Sequence, residues 1–171
     1  MDSFEALIFL FSGFFACRGI FKWYVRLAET WPPAQNKAAK YFLGFLPVVS
    51  FGIIVYTLRA LASFDVVNDF IYIIFYILLG FAWIFIGLIL VFRYFDLSWV
   101  DDVLNQNNKA ALYAFTGAYL GLVIIYSGAN IGDGPGWWCV VFAGGLGLFA
   151  WIYLGVIINI LTQVFERITV D

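Results

Sequence analysis

The chain is predicted to be an all-α polytopic membrane protein of five transmembrane helices, and three observations carry that prediction. Of 171 residues, 64% are hydrophobic and 12% charged, about half the charge of an average soluble domain. The apolar residues gather into five runs of roughly 20, each long enough to cross about 30 Å of hydrocarbon. Between the runs lie short polar breaks. Hydrocarbon offers no hydrogen bonds to an open backbone, so each run closes its own ladder as a helix or joins a barrel. Continuous apolarity without period-2 alternation excludes the barrel.

The first run, 4–23, follows Met1-Asp2-Ser3 and carries Glu5. A signal peptide needs a basic leader, so this helix is expected to be retained. The second, 41–62, holds Pro47 between Gly44 and Gly52, which predicts a kink. The third, 70–92, holds no charged residue and has Gly80 and Gly87 inside it. The fourth, 110–130, has Gly117 and Gly121 as a small-xxx-small pair that lets helix backbones approach. The fifth, 137–162, adds Gly145, Gly147 and Gly155. Gly117, Gly121, Gly145 and Gly147 are the expected helix-packing positions.

Orientation follows from the basic residues. Lys22, Arg26, Lys37 and Lys40 lie in or beside the first connection, with Arg18 just inside the first helix. Arg93 and Lys109 flank the third connection, and Arg167 follows the fifth helix. The connections 63–69 and 131–136 hold none, and only Arg59 falls on their side. The positive-inside rule then puts the N-terminus outside and the C-terminus in the cytoplasm.

A repeat lies within this pattern. "NKAAKY" at 36–41 returns as "NKAALY" at 108–113, and "AWIFIG" at 82–87 returns as "AWIYLG" at 150–155. The chain therefore reads as one membrane domain, 1–171, containing a duplicated parallel two-helix unit. An extra helix and cytoplasmic loop, 1–35, precede the copies 36–103 and 108–171. Asn36 and Asn108 stand where an N-cap side chain would satisfy orphaned backbone N–H groups. Lys37 and Lys109 beside them can reach lipid headgroups.

Composition narrows the chemistry. With no histidine and only Cys17 and Cys139, the chain lacks the usual metal ligand sets. No metal or cofactor is expected. The cysteines fall at opposite depths and read as small buried hydrophobes with no disulfide between them. A net charge of −2 without a basic stripe argues against nucleic acid. Asp101 and Asp102 read as a solvated loop pair. Arg59, Tyr126, Ser127, Asn130 and Asn159 are the candidate members of a polar pathway, against the plainer reading that each is satisfied locally.

The stretch "QNNKAALYAFTGAYLGLVIIYSGA" at 106–129 resembles the core of the YjfL-like small bacterial inner-membrane proteins, a family defined as a domain of unknown function. Asn108, Ala110, Ala111, Gly117, Gly121 and Ser127 match its pattern. The resemblance extends over roughly 68–168, and residues 36–64 look like a repeat copy of a family helix set ahead of the core. It implies a bacterial inner membrane, a fold built from a duplicated hairpin, and a role in envelope upkeep.

The expected function is a non-enzymatic structural or interaction subunit of a membrane assembly, with no catalytic residues. Its partners would be membrane lipids and either copies of itself or a larger complex. The alternative is a small oligomeric channel or transporter.

Overall fold

The computed structural model describes residues 2–29, 37–63, 66, 68–134 and 136–170. Five long helices form: α1 Ser3–Glu29, α2 Lys37–Ala60, α3 Phe70–Phe95, α4 Lys109–Ala129 and α5 Trp137–Thr162. Trp99–Asn105 forms a π-helical turn, and a short α6, Val164–Val170, follows α5. All five long helices are long and apolar enough to cross a membrane. The protein is an all-helical, multi-pass membrane protein.

α1 runs six residues beyond its expected end at 23. Nothing between Tyr24 and Glu29 breaks a helix, and Trp23 and Leu27 are buried, so packing holds the added turns in place. Arg26 therefore projects from a helix instead of a loop, as Lys22 does, their stems able to lie along apolar surface.

α3 and α4 form the middle of the bundle. α3 packs against α1, α2, α4 and α5, whereas α4 packs against α2, α3 and α5. Contacts between helix ends define two faces. At one, the Tyr72 hydroxyl donates to Glu5 (3.0 Å), and the Gly132 N–H donates to the Leu61 carbonyl (3.0 Å). A lone parallel bridge, Ala62 to Gly132, ties the same two connections. At the other face, Trp23 stacks on Trp99 at 4.2 Å, and Asn108 Nδ2 donates to the Ile168 carbonyl (2.6 Å). Successive spans thus alternate in direction. The first face carries Asp2, Glu5, Asp69 and Asp133 and is the acidic end; the second carries Lys22, Lys37, Arg93 and Lys109 and is the basic end.

Glycine sets how closely the central helices approach. A Cβ on Gly80 would lie 2.6 Å from the Tyr126 ring and 2.9 Å from Ile54, and both neighbours are fully buried. Only a residue without Cβ lets α2, α3 and α4 meet there. Of the four glycines expected to mark seams, a Cβ on Gly121 would lie 3.6 Å from the Trp151 ring and one on Gly147 3.1 Å from Ile125. A Cβ on Gly117 or Gly145 would meet nothing within 4 Å among the described residues. They lie on outward faces of α4 and α5, which sequence spacing alone does not distinguish from inward ones.

α2 continues as one helix through the buried Pro47. Pro47 has no N–H to complete the ladder, and in the preceding turn the Tyr24 hydroxyl donates to the Gly44 carbonyl (3.0 Å). The connection carrying Asp101 and Asp102 is not a solvated loop. Ser98 caps the π-helical turn: its Oγ accepts from the Asp101 N–H (3.1 Å), and its own N–H donates to Asp102 (2.7 Å). Asp102 is consequently buried.

Gly80→Ala is expected to destabilise the detergent-solubilised protein by roughly 1–3 kcal/mol, the usual cost of overpacking a filled site. Gly52→Ala, whose Cβ would meet nothing, should be neutral or slightly stabilising. Thermal melts of the two variants against the parent check this.

Candidate functional site

A polar side chain inside a membrane span carries either chemistry or structure, and its partners separate the two. Near the acidic end of α4, the Tyr126 hydroxyl donates to the Tyr76 carbonyl of α3 (2.5 Å). One turn later, Asn130 Nδ2 donates back to the Tyr126 carbonyl (2.8 Å). The Asn130 N–H donates to the Ser127 carbonyl (3.0 Å) and closes the helix. Tyr126, Ser127 and Asn130 are all buried. Ser127 Oγ has no partner among the described residues, a local cost of about 1–3 kcal/mol. Arg59 lies in the last turn of α2 at the same end and is exposed. In mid-bundle the Ser50 and Tyr119 hydroxyls, from α2 and α4, are hydrogen-bonded at 3.1 Å.

Asn159 stands apart, at the basic end. Its Oδ1 accepts from the Phe165 N–H (3.0 Å), while its carbonyl accepts from the Gln163 N–H (2.7 Å). Gln163 takes a left-handed conformation (φ 53°) there. Asn159 therefore shapes the turn from α5 into α6. The five candidate pathway residues do not form one line: four gather at the acidic end, and the fifth serves a turn at the other.

The headgroup candidates are distributed differently. Asn108 caps α4, its Oδ1 accepting from the Ala111 N–H (2.9 Å), and its Nδ2 holds the Ile168 carbonyl of α6. Both halves of the amide are engaged, and the residue is buried. Lys37 and Lys109 open α2 and α4 as exposed residues on the basic end. Asn36 lies outside the described residues.

Two cavities accompany these groups. The smaller, about 200 Å³, lies beneath the Ala62–Gly132 bridge at the acidic end, with Tyr76, Asn130 and Cys139 on its wall. The larger, about 510 Å³, opens between α1 and α3 at the basic end. Sequence reading missed it, because ending the first helix at 23 hid the spacing of Arg18, Lys22 and Arg26. Extended to Glu29, the helix puts all three on one stripe.

Among the described residues no three His, Cys, Asp or Glu side chains gather to hold a metal. Cys17 and Cys139 are free thiols. Cys17 is exposed, not buried as its apolar neighbourhood suggested, because it lies on the outward face of α1.

No protein-family model, no curated protein and no solved structure matches the chain.

Proposed function

We propose that this protein is a non-enzymatic structural or interaction subunit of a membrane assembly in the bacterial inner membrane. The observation that carries the reading is the local pairing of span polar groups. Tyr126 is bonded to Tyr76, Asn130 to Tyr126, Ser50 to Tyr119 and Asn159 to Phe165. Groups consumed in helix–helix bonds hold a scaffold together; a transport route needs groups left to replace a solute's hydration.

The outward surface supports the same reading. Among the described residues nothing occupies the space a Cβ would take on Gly117 or Gly145, so their bare backbone is offered to a helix from elsewhere. The partner is a second copy of this chain or a larger membrane complex, with lipid around both. We further read 36–103 and 108–171 as duplicated units, since "AWIFIG" and "AWIYLG" fall at nearly equal depth in α3 and α5. The YjfL-like resemblance supplies the proposed inner-membrane setting and a role in envelope upkeep.

Native mass analysis after mild solubilisation tests the assembly. A complex larger than one chain is expected, with Gly117→Leu shifting it toward monomer. A lone monomer with neither partner nor lipid would sink the reading, and ion flux in reconstituted liposomes above empty vesicles would favour a channel.

The basic end is proposed to face the cytoplasm. Single-cysteine variants at Asp133 and Glu166, made without the native cysteines, are expected to react with an impermeant maleimide from outside and inside respectively. The reverse pattern would invert the topology.

A further inference from the structure

The cavity between α1 and α3 is graded from one end to the other. Toward mid-membrane its wall is apolar, with Phe15 of α1 and Phe85 and Ile86 of α3. Toward the basic end, Arg18, Lys22 and Arg26 of α1 join the wall, and the π-helical turn closes over with Trp99 and Asp101. The stacked Trp23 and Trp99 rings belong to the same wall. A volume of about 510 Å³ lies within the range of roughly 300–1,000 Å³ that holds small ligands.

Arg18, Lys22 and Arg26 follow one another at intervals of four, so they share one face of α1. Like charges at that spacing repel, and a cleft with low-dielectric walls concentrates their field. The acid on the facing wall, Asp101, offers partial relief. Its carboxylate already accepts from Ser98 Oγ (3.0 Å) and Asn105 Nδ2 (3.1 Å). Arg18 lies about 6 Å deeper than Lys22 at helical rise. A cation entering hydrocarbon is costly unless an anion or water meets it.

We propose that this cavity binds one anionic phospholipid. Its phosphate is held by Arg18 and Lys22, and one acyl chain lies along Phe15, Ile86 and Ile89. The order of the wall matches the order of the molecule, charge at the membrane face and hydrocarbon toward the midplane. Guanidinium suits the phosphate because it can present two parallel N–H donors. Gly19 sets the geometry: a Cβ there would run into the Phe85 ring, so its absence brings α1 onto α3 beside the cavity. A soluble anion would leave the apolar wall bare, and a zwitterionic lipid would leave the positive field unbalanced.

The test uses the full chain reconstituted with equal phosphatidylglycerol and phosphatidylcholine, re-extracted in mild detergent, with retained lipid counted by native mass spectrometry. One phosphatidylglycerol should be retained, preferred over phosphatidylcholine by about tenfold or more. Each basic residue near an anionic headgroup is worth about fivefold in affinity. Arg18→Gln with Lys22→Gln should therefore abolish the preference, while Arg167→Gln leaves it intact. These positions are exposed, so melting should not change. Ile89→Trp, which fills the exposed wall without touching charge, should lower retention of either lipid. Equal retention of the two lipids by the parent would overturn the proposal, as would phosphatidylglycerol binding indifferent to the double substitution. Displacement by millimolar inorganic phosphate would overturn it too, making the ligand a free anion.

Discussion

Tyr126 lies across Gly80 and donates its hydroxyl to the Tyr76 carbonyl, and the bundle is arranged around that contact. In lipid no hydrophobic force draws helices together, because the tails are as apolar as the side chains. Close packing and interhelical hydrogen bonds must do it, and this contact supplies both. Gly80 removes the Cβ that would hold the Tyr126 ring away, and Ile54 of α2 reaches the same spot. α5 joins where Gly144 admits the Trp83 ring, with Ala129 of α4 beside it. Three spans, α2, α4 and α5, therefore meet around α3. α1 comes to it separately, through Gly19 against Phe85 and through the Glu5–Tyr72 bond.

The two ends are finished by different devices. At the acidic end the Ala62–Gly132 bridge laces two connections together, and Asp69 caps α3 by accepting from the Ile71 N–H (2.8 Å). At the basic end the π-helical turn and α6 fold back onto the bundle, held by Asn108, Asn159 and the Phe95–Phe165 stack at 4.4 Å. Polar groups spent in this way hold helix ends and turns in place. What the fold leaves outward is apolar surface on α1 and α5, open glycine backbone, and a basic stripe beside a cavity. In the account proposed here, those features engage lipid and other membrane helices.

The spans were legible because a long apolar run has one stable conformation in hydrocarbon, and all five begin within four residues of expectation. The Asn108 cap was legible for a similar reason: an Asn before an apolar run has a specific backbone task. The end of α1 was not. Arg26 looks like a loop residue until Trp23 and Leu27 are seen to be buried on either side of it. Asp101 and Asp102 misled in the same way, since the partners that bury Asp102 are backbone groups within its own turn. Glycine counting did not separate Gly121 and Gly147 from the outward Gly117 and Gly145, because composition does not reveal which face of a helix is inward. Gly19, which packs most tightly against a neighbour, stood beside Arg18 and escaped notice.

The central claim is that the acidic half of α4 is dry and internally bonded, not the wall of a hydrated route. Hydrogen–deuterium exchange of the protein in lipid nanodiscs measures this directly at the amides of Val123–Ser127. The account predicts exchange as slow as at the centre of α3, with both unchanged when the cavity at the basic end is occupied or empty. Rapid exchange confined to Val123–Ser127, beside a protected α3, would place water along that helix face and contradict it.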